Sequence, residues 1–116
     1  MRRANCETKR IVMQLVGALD WQTFGQERLS YDRDAYMLTT KWFGQRFAVA
    51  KHGEKQWCVV QFDSGLCVGQ ENKYYPTRQK AIDKFEIAMD DFRHRHGYEK
   101  VANLIKEQIA KYGKIN

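Results

Sequence analysis

Two cations stand where a helix tolerates them least. Arg78 and Lys80 directly follow Thr77, a natural helix cap, and precede the amphipathic run Ala81, Ile82, Phe85, Ala88, Met89 and Phe92. A helix start carries unpaired N–H groups and the positive end of the backbone dipole. Carboxylates belong there, and each cation costs about 0.3–1 kcal/mol at low salt. The position that would complete a capping box with Thr77 is Lys80 instead of Glu or Gln. An anionic partner would offset this cost, because the N–H groups at a helix start bind phosphate. Lys73, Tyr74 and Tyr75 lie just upstream and add charge and ring surface for a phosphate backbone or an unstacked base. A second basic locus, Arg2-Arg3 followed by Lys9-Arg10, resembles the basic arms that contact nucleic acid. The candidate nucleic-acid-binding set is therefore Arg78, Lys80, Lys73, Tyr74, Tyr75, Arg2 and Arg3. The plainer alternative is a set of ordinary surface cations, with the two tyrosines sealing a sheet edge.

Other chemistries find little to work with. The histidines are His52, His94 and His96. On a helix, His94 and His96 point about 200° apart, whereas a helical metal pair needs i, i+4 spacing. Ser30 and Ser64 lack a nucleophile elbow, and Asp63-Ser64-Gly65 reads as a turn. Asp90 and Asp91 face different directions among basic neighbours, which describes a solvated face. There is neither a dinucleotide fingerprint nor a phosphate-binding loop. These observations point to a non-enzymatic protein with no metal and no cofactor.

The composition agrees with a partner of opposite charge. In 116 residues the net charge is +6 and the pI about 9.3, a modest basic excess. The 43% apolar and 29% charged content is that of a folded domain, and the length suits one core without staples. Cys6, Cys58 and Cys67 form no CxxC pair and are odd in number, which favours reduced thiols in a cytoplasm. Cys58 and Cys67 flank the Asp63-Ser64-Gly65 turn at a spacing that permits a bridge, but buried thiols suit these strand patterns better. The apolar run 11–19 contains Gln14 and leads into Asp20-Trp21, so it is expected to be retained rather than cleaved. It is too short to span a bilayer.

The elements that must position the candidate set follow from hydrophobic periodicity. Ile11, Val12, Leu15, Val16 and Leu19 recur at helical spacing behind Thr8, which predicts a helix over 8–19. Residues 20–34 lack a clear period and are expected to connect. From Ala35, Tyr36, Leu38, Thr40 and Trp42 alternate as on a strand, and Phe43-Gly44-Gln45 turns it. Residues 46–51 and 56–62 form two more strands around the loop His52-Gly53-Glu54-Lys55, and Leu66–Val68 supplies a fourth. Helices are predicted over 77–96, closed by Gly97, and over 99–112. The expected fold is α+β in a single domain: a three- to four-stranded antiparallel meander within 35–69, with an N-terminal helix and two C-terminal helices on one face, and residues 1–7 as a flexible basic arm.

This order gives a limited resemblance. A meander carrying Trp57, followed by a helix that opens Thr77-x-x-Lys80-Ala81-Ile82, resembles integrase arm-type DNA-binding domains over residues 44–92. The resemblance implies DNA binding. The chain departs from that pattern where Val59, Val60 and Gln61 replace the arginine-rich strand that reads the major groove. In general style, small chains of this kind also resemble phage-encoded inhibitors of nucleic-acid enzymes.

Two functional readings follow. The first is a cytoplasmic binding protein that contacts nucleic acid, or a nucleic-acid-bound complex, through a basic surface. The alternative is a protein-binding inhibitor or adaptor acting on a nucleic-acid-processing enzyme, without membrane contact. Leu104, Ile105 and Ile109 add more apolar surface than one small sheet absorbs, and a helix-mediated homodimer would bury it.

Overall fold

A computed structural model describes residues 6–16, 30–65, 74–112 and 116. Four strands, β1 (Ile11–Val16), β2 (Ser30–Met37), β3 (Phe47–Gly53) and β4 (Gln56–Gln61), form an antiparallel sheet in the order β1-β2-β3-β4. Helices α1 (Arg78–His96) and α2 (Tyr98–Tyr112) follow. The architecture is α+β, as expected.

The N-terminal helix is not found. Residues 11–16 are a strand paired with β2 through six register positions, from Ile11 opposite Ala35 to Val16 opposite Ser30. Val12 is 67% exposed while Met13 is 2% exposed, the alternation of a strand. Three of the six residues are β-branched, and β-branched side chains lose little in a strand. The helical reading counted the same apolar residues at 3.6 spacing, but a pairing partner decides between the two periods. That partner is residues 30–34, which were expected to be connecting chain and instead begin β2. The rest of the expected connection, and the expected strand Leu66–Val68, lie outside the described residues.

β2 also ends sooner than expected. Leu38 keeps an isolated bridge to Cys6 and donates its N–H to the Phe47 carbonyl at 2.9 Å, and Thr39-Thr40 leave the strand. Trp42 therefore does not share a strand face with Tyr36. It closes a tight turn onto Gln45, with two backbone bonds of 3.1 and 2.9 Å. Phe43 and Gly44 both take positive φ there, 54° and 74°. Phe43 is held in that unfavourable region by burial and by its ring contact with Tyr98 at 5.1 Å.

Both helices lie on one face of the sheet, as expected. Thr77 caps α1 by accepting the Lys80 N–H at 3.2 Å, and Gly97, at φ 83°, ends it by donating to Arg93. The stripe Ala81, Ile82, Phe85 and Met89 is buried against Phe47, Val49 and Val59, with Phe47 and Phe85 rings 4.8 Å apart. From α2, Val101, Ala102 and Ile105 enter the same core and Ile109 packs at its margin, while Leu104 stays 53% exposed. The opposite sheet face buries Met13, Ala35, Ala48, Ala50 and Val60. No described helix is long and apolar enough to cross a membrane.

The sheet forks. β2 and β3 pair only at Ala35–Ala50, Tyr36–Val49 and Met37–Ala48, while the β1–β2 and β3–β4 ladders continue past that point. Beyond Ala35 and Ala50 the two hairpins diverge.

Candidate nucleic-acid interface

The register builds a ring and cation cluster on the helix-bearing face. Tyr36 lies opposite Val49, and Lys51 opposite Trp57, so all four side chains share that face. Tyr75 then ties the chain to the outer edge of β4. The Trp57 N–H donates to the Tyr75 carbonyl at 2.8 Å and the Tyr75 N–H returns the bond at 2.9 Å. Three residues later the chain enters α1, which carries Arg78 above the rings of β2 and β4.

The Arg78 guanidinium carbon is 4.1 Å from the Tyr36 ring centroid and 5.8 Å from that of Trp57. The two rings are 6.2 Å apart and inclined at 46°. The Lys51 ammonium is 5.9 Å from the Trp57 ring. Both cations lie within the range where a ring face attracts positive charge. The first turn of α1 contains no acidic residue. Among the described residues, Arg78, Lys80 and Lys51 make no salt bridge. Asp83, one turn further on, accepts instead from the Gln79 amide at 2.7 Å.

Arg78 thus has an intramolecular reason to occupy a helix start. The attraction of its charge to the Tyr36 and Trp57 rings offsets the unfavourable dipole, so no bound anion is needed to explain it. Lys80 has no such contact. It is exposed, and its side chain remains a misplaced cation.

The other two described members of the candidate set, Tyr74 and Tyr75, make different contacts. Tyr75 packs against the helix-side core, whereas Tyr74 meets the His52 ring at 46° with ring centroids 4.7 Å apart. The adjacent tyrosines therefore serve separate contacts, close to the edge-sealing role considered above. Lys73, Arg2 and Arg3 lie outside the described residues. Arg10, from the second basic locus, pairs with Asp34 at 3.6 Å.

Tyr36, Trp57 and Lys51 are the members that sequence reasoning missed. Trp57 and Tyr36 read in the sequence as strand residues, and both also pack against the helix-side core. The available signal was the alternation of β3 and β4, which puts Lys51 and Trp57 on one face once the hairpin register is known.

Cys6 lies partly buried beside this cluster, bridged to Leu38. Burial pushes its thiol pKa up, outweighing the opposing influence of Arg78. A raised pKa makes a poor nucleophile at neutral pH. Cys58 is buried within β4, and Cys67 is outside the described residues.

A second feature sits in the fork between β2 and β3. Arg33 and Asp34 on one prong, and Lys51, His52, Gly53 and Glu54 on the other, line an open cleft of about 340 Å³. Burial, followed by the charge of Arg33, lowers the His52 pKa below 6.5, and its buried Nε2 has no hydrogen-bond partner among the described residues. Opposite charges are mixed around this cleft. No group of three or more potential metal ligands occurs among the described residues.

No protein-family model, curated protein or solved structure matches this chain.

Proposed function

We propose that this is a small, cytoplasmic, non-enzymatic binding protein that holds nucleic acid on the cluster formed by Arg78, Tyr36, Trp57, Lys51 and Lys80. The observation that carries the reading is the Arg78 guanidinium, seated 4.1 Å over Tyr36 without a carboxylate partner among the described residues. A cation fixed over rings offers charge to phosphate and a flat surface to a base, the two things a nucleic acid presents. The +6 net charge would steer a polyanion towards it. Lys73 and the arm residues Arg2 and Arg3 are proposed to extend the same contact.

A gel-shift series over salt tests the reading. Binding through Z phosphates weakens linearly in log salt, with a slope of about −0.9Z for duplex and −0.7Z for single strands. No association with DNA or RNA of either form at low salt would remove this reading. It would promote the second one, an inhibitor or adaptor that grips a nucleic-acid-processing protein. That alternative draws on Val12, 67% exposed on the terminal strand β1, and on Leu104 of α2. Both are apolar side chains facing outward without a described partner, as a protein contact would need.

A further inference from the structure

We infer that the ligand class of this cluster is single-stranded nucleic acid, with an unpaired base stacked against the Arg78 guanidinium. The inference rests on the nucleic-acid reading above and narrows it.

Arg78 lies over Tyr36 while Lys51 approaches the neighbouring Trp57 ring, so planar groups and charges alternate along a short surface. Arg78, Tyr36 and Trp57 are all half-buried, which limits their movement and leaves part of each accessible. A guanidinium held at the rings offers a planar group to an exposed base face, and stacking of that kind tolerates any base. In a duplex the base faces are already stacked on one another and cannot meet it.

The fold also withholds from a duplex what groove reading requires. Major-groove reading needs an element that projects into the groove with base-reading side chains. On the helix-bearing side, β3 and β4 are packed beneath α1, and their inward residues Val49 and Val59 are buried. The flank of α1 is also unsuited to duplex phosphates. Asp90 engages Arg93 at 2.9 Å and Asp91 engages Arg95 at 3.1 Å, so the cations of its last turns are already matched by carboxylates. Among the described residues, Arg78 and Lys51 lie against the rings without a salt bridge, and Lys80 shares the first turn of α1 with Arg78. Three cations can neutralise at most about three phosphates, giving a single-strand salt slope near −2.

The test compares a labelled oligothymidine with the same oligomer annealed to oligoadenine, by fluorescence anisotropy at a series of salt concentrations. The single strand is expected to bind at least about ten-fold tighter, the scale of one stacked base. Arg78→Lys preserves the charge and removes the plane. It should lose about ten-fold in single-strand affinity while keeping the salt slope. Lys80→Gln, at an exposed position that packs on nothing described, should lower the slope by about 0.7 and keep the preference for single strands. Duplex binding as tight as single-strand binding would overturn the inference and leave the nucleic-acid reading standing. So would an Arg78→Lys variant that binds like the parent. Absence of binding to both probes at low salt would overturn both.

Discussion

Arg78 and Lys80 occupy neighbouring turn positions with the same charge, yet they should respond oppositely to the same substitution. At Lys80, a glutamate would replace an unfavourable charge with a favourable one at the positive end of the α1 dipole. Each half of that change contributes about 0.3–1 kcal/mol. Thr77 already accepts the N–H of residue 80 at 3.2 Å, so a carboxylate there is placed to return a bond to the Thr77 N–H and close a capping box. Lys80→Glu should therefore stabilise the fold by about 1 kcal/mol, after allowance for screening at an exposed position. At Arg78 the dipole gain is similar, but the substitution also removes a cation held 4.1 Å from one ring and 5.8 Å from another. Such contacts contribute about 0.5 kcal/mol when exposed and about 2 when desolvated, and the half-buried Tyr36 and Trp57 fall between these limits. The carboxylate of Arg78→Glu would then lie against ring faces that repel it. The net change should be zero to about 1 kcal/mol of destabilisation. Thermal unfolding by circular dichroism separates the two cases, since 1 kcal/mol moves the midpoint of a domain this size by about 4 °C. An Arg78→Glu variant that gains as much heat resistance as Lys80→Glu would refute the claim that attraction to the rings anchors Arg78.

Three further outcomes follow from the same geometry. His52 has a folded-state pKa below its ordinary 6.5, so below that pH the unfolded chain binds the extra proton first. Its contribution to stability is complete above about pH 6.5 and is lost as pH falls through the lowered folded value. Urea midpoints of the parent should therefore fall more steeply below that pH than those of His52→Gln; parallel curves would show that His52 is not the group responsible. Gln61 is fully buried, with Oε1 accepting the Ser64 N–H at 2.8 Å and Nε2 donating to Asp63 at 3.0 Å. Gln61→Leu leaves that backbone donor without its acceptor and should cost about 1–3 kcal/mol, visible as a lower urea midpoint with an unchanged slope. Of the three α2 residues suspected of surplus apolar surface, Ile105 is buried, Ile109 is partly buried against the core and Leu104 alone is exposed. Light scattering across a wide micromolar range should return the monomer mass; a dimer that Leu104→Lys dissociates would contradict this.

The parts of the fold legible in the sequence are those decided by neighbours along the chain. Thr77, the apolar stripe from Ala81 to Met89 and Gly97 specify α1 within one turn, because caps and helical periodicity act over a few residues. The Phe43-Gly44 turn was legible for the same reason, from the glycine and the strands around it. β1 was not. Ile11, Val12, Leu15 and Val16 satisfy a helical period in isolation, and only β2, some twenty residues away, makes the strand the better solution. The site divided along the same line. Thr77, Arg78 and Lys80 lie within four residues of one another, so a charge conflict at a helix start is visible directly. Its resolution depends on Tyr36 and Trp57, which come from β2 and β4 and meet Arg78 only through the sheet register and the Trp57–Tyr75 bridge. Local chemistry therefore identified the anomalous cation, and non-local pairing supplied the rings that hold it. A single backbone bridge at the β4 edge thus fixes both where α1 begins and which aromatic surface its first residue covers.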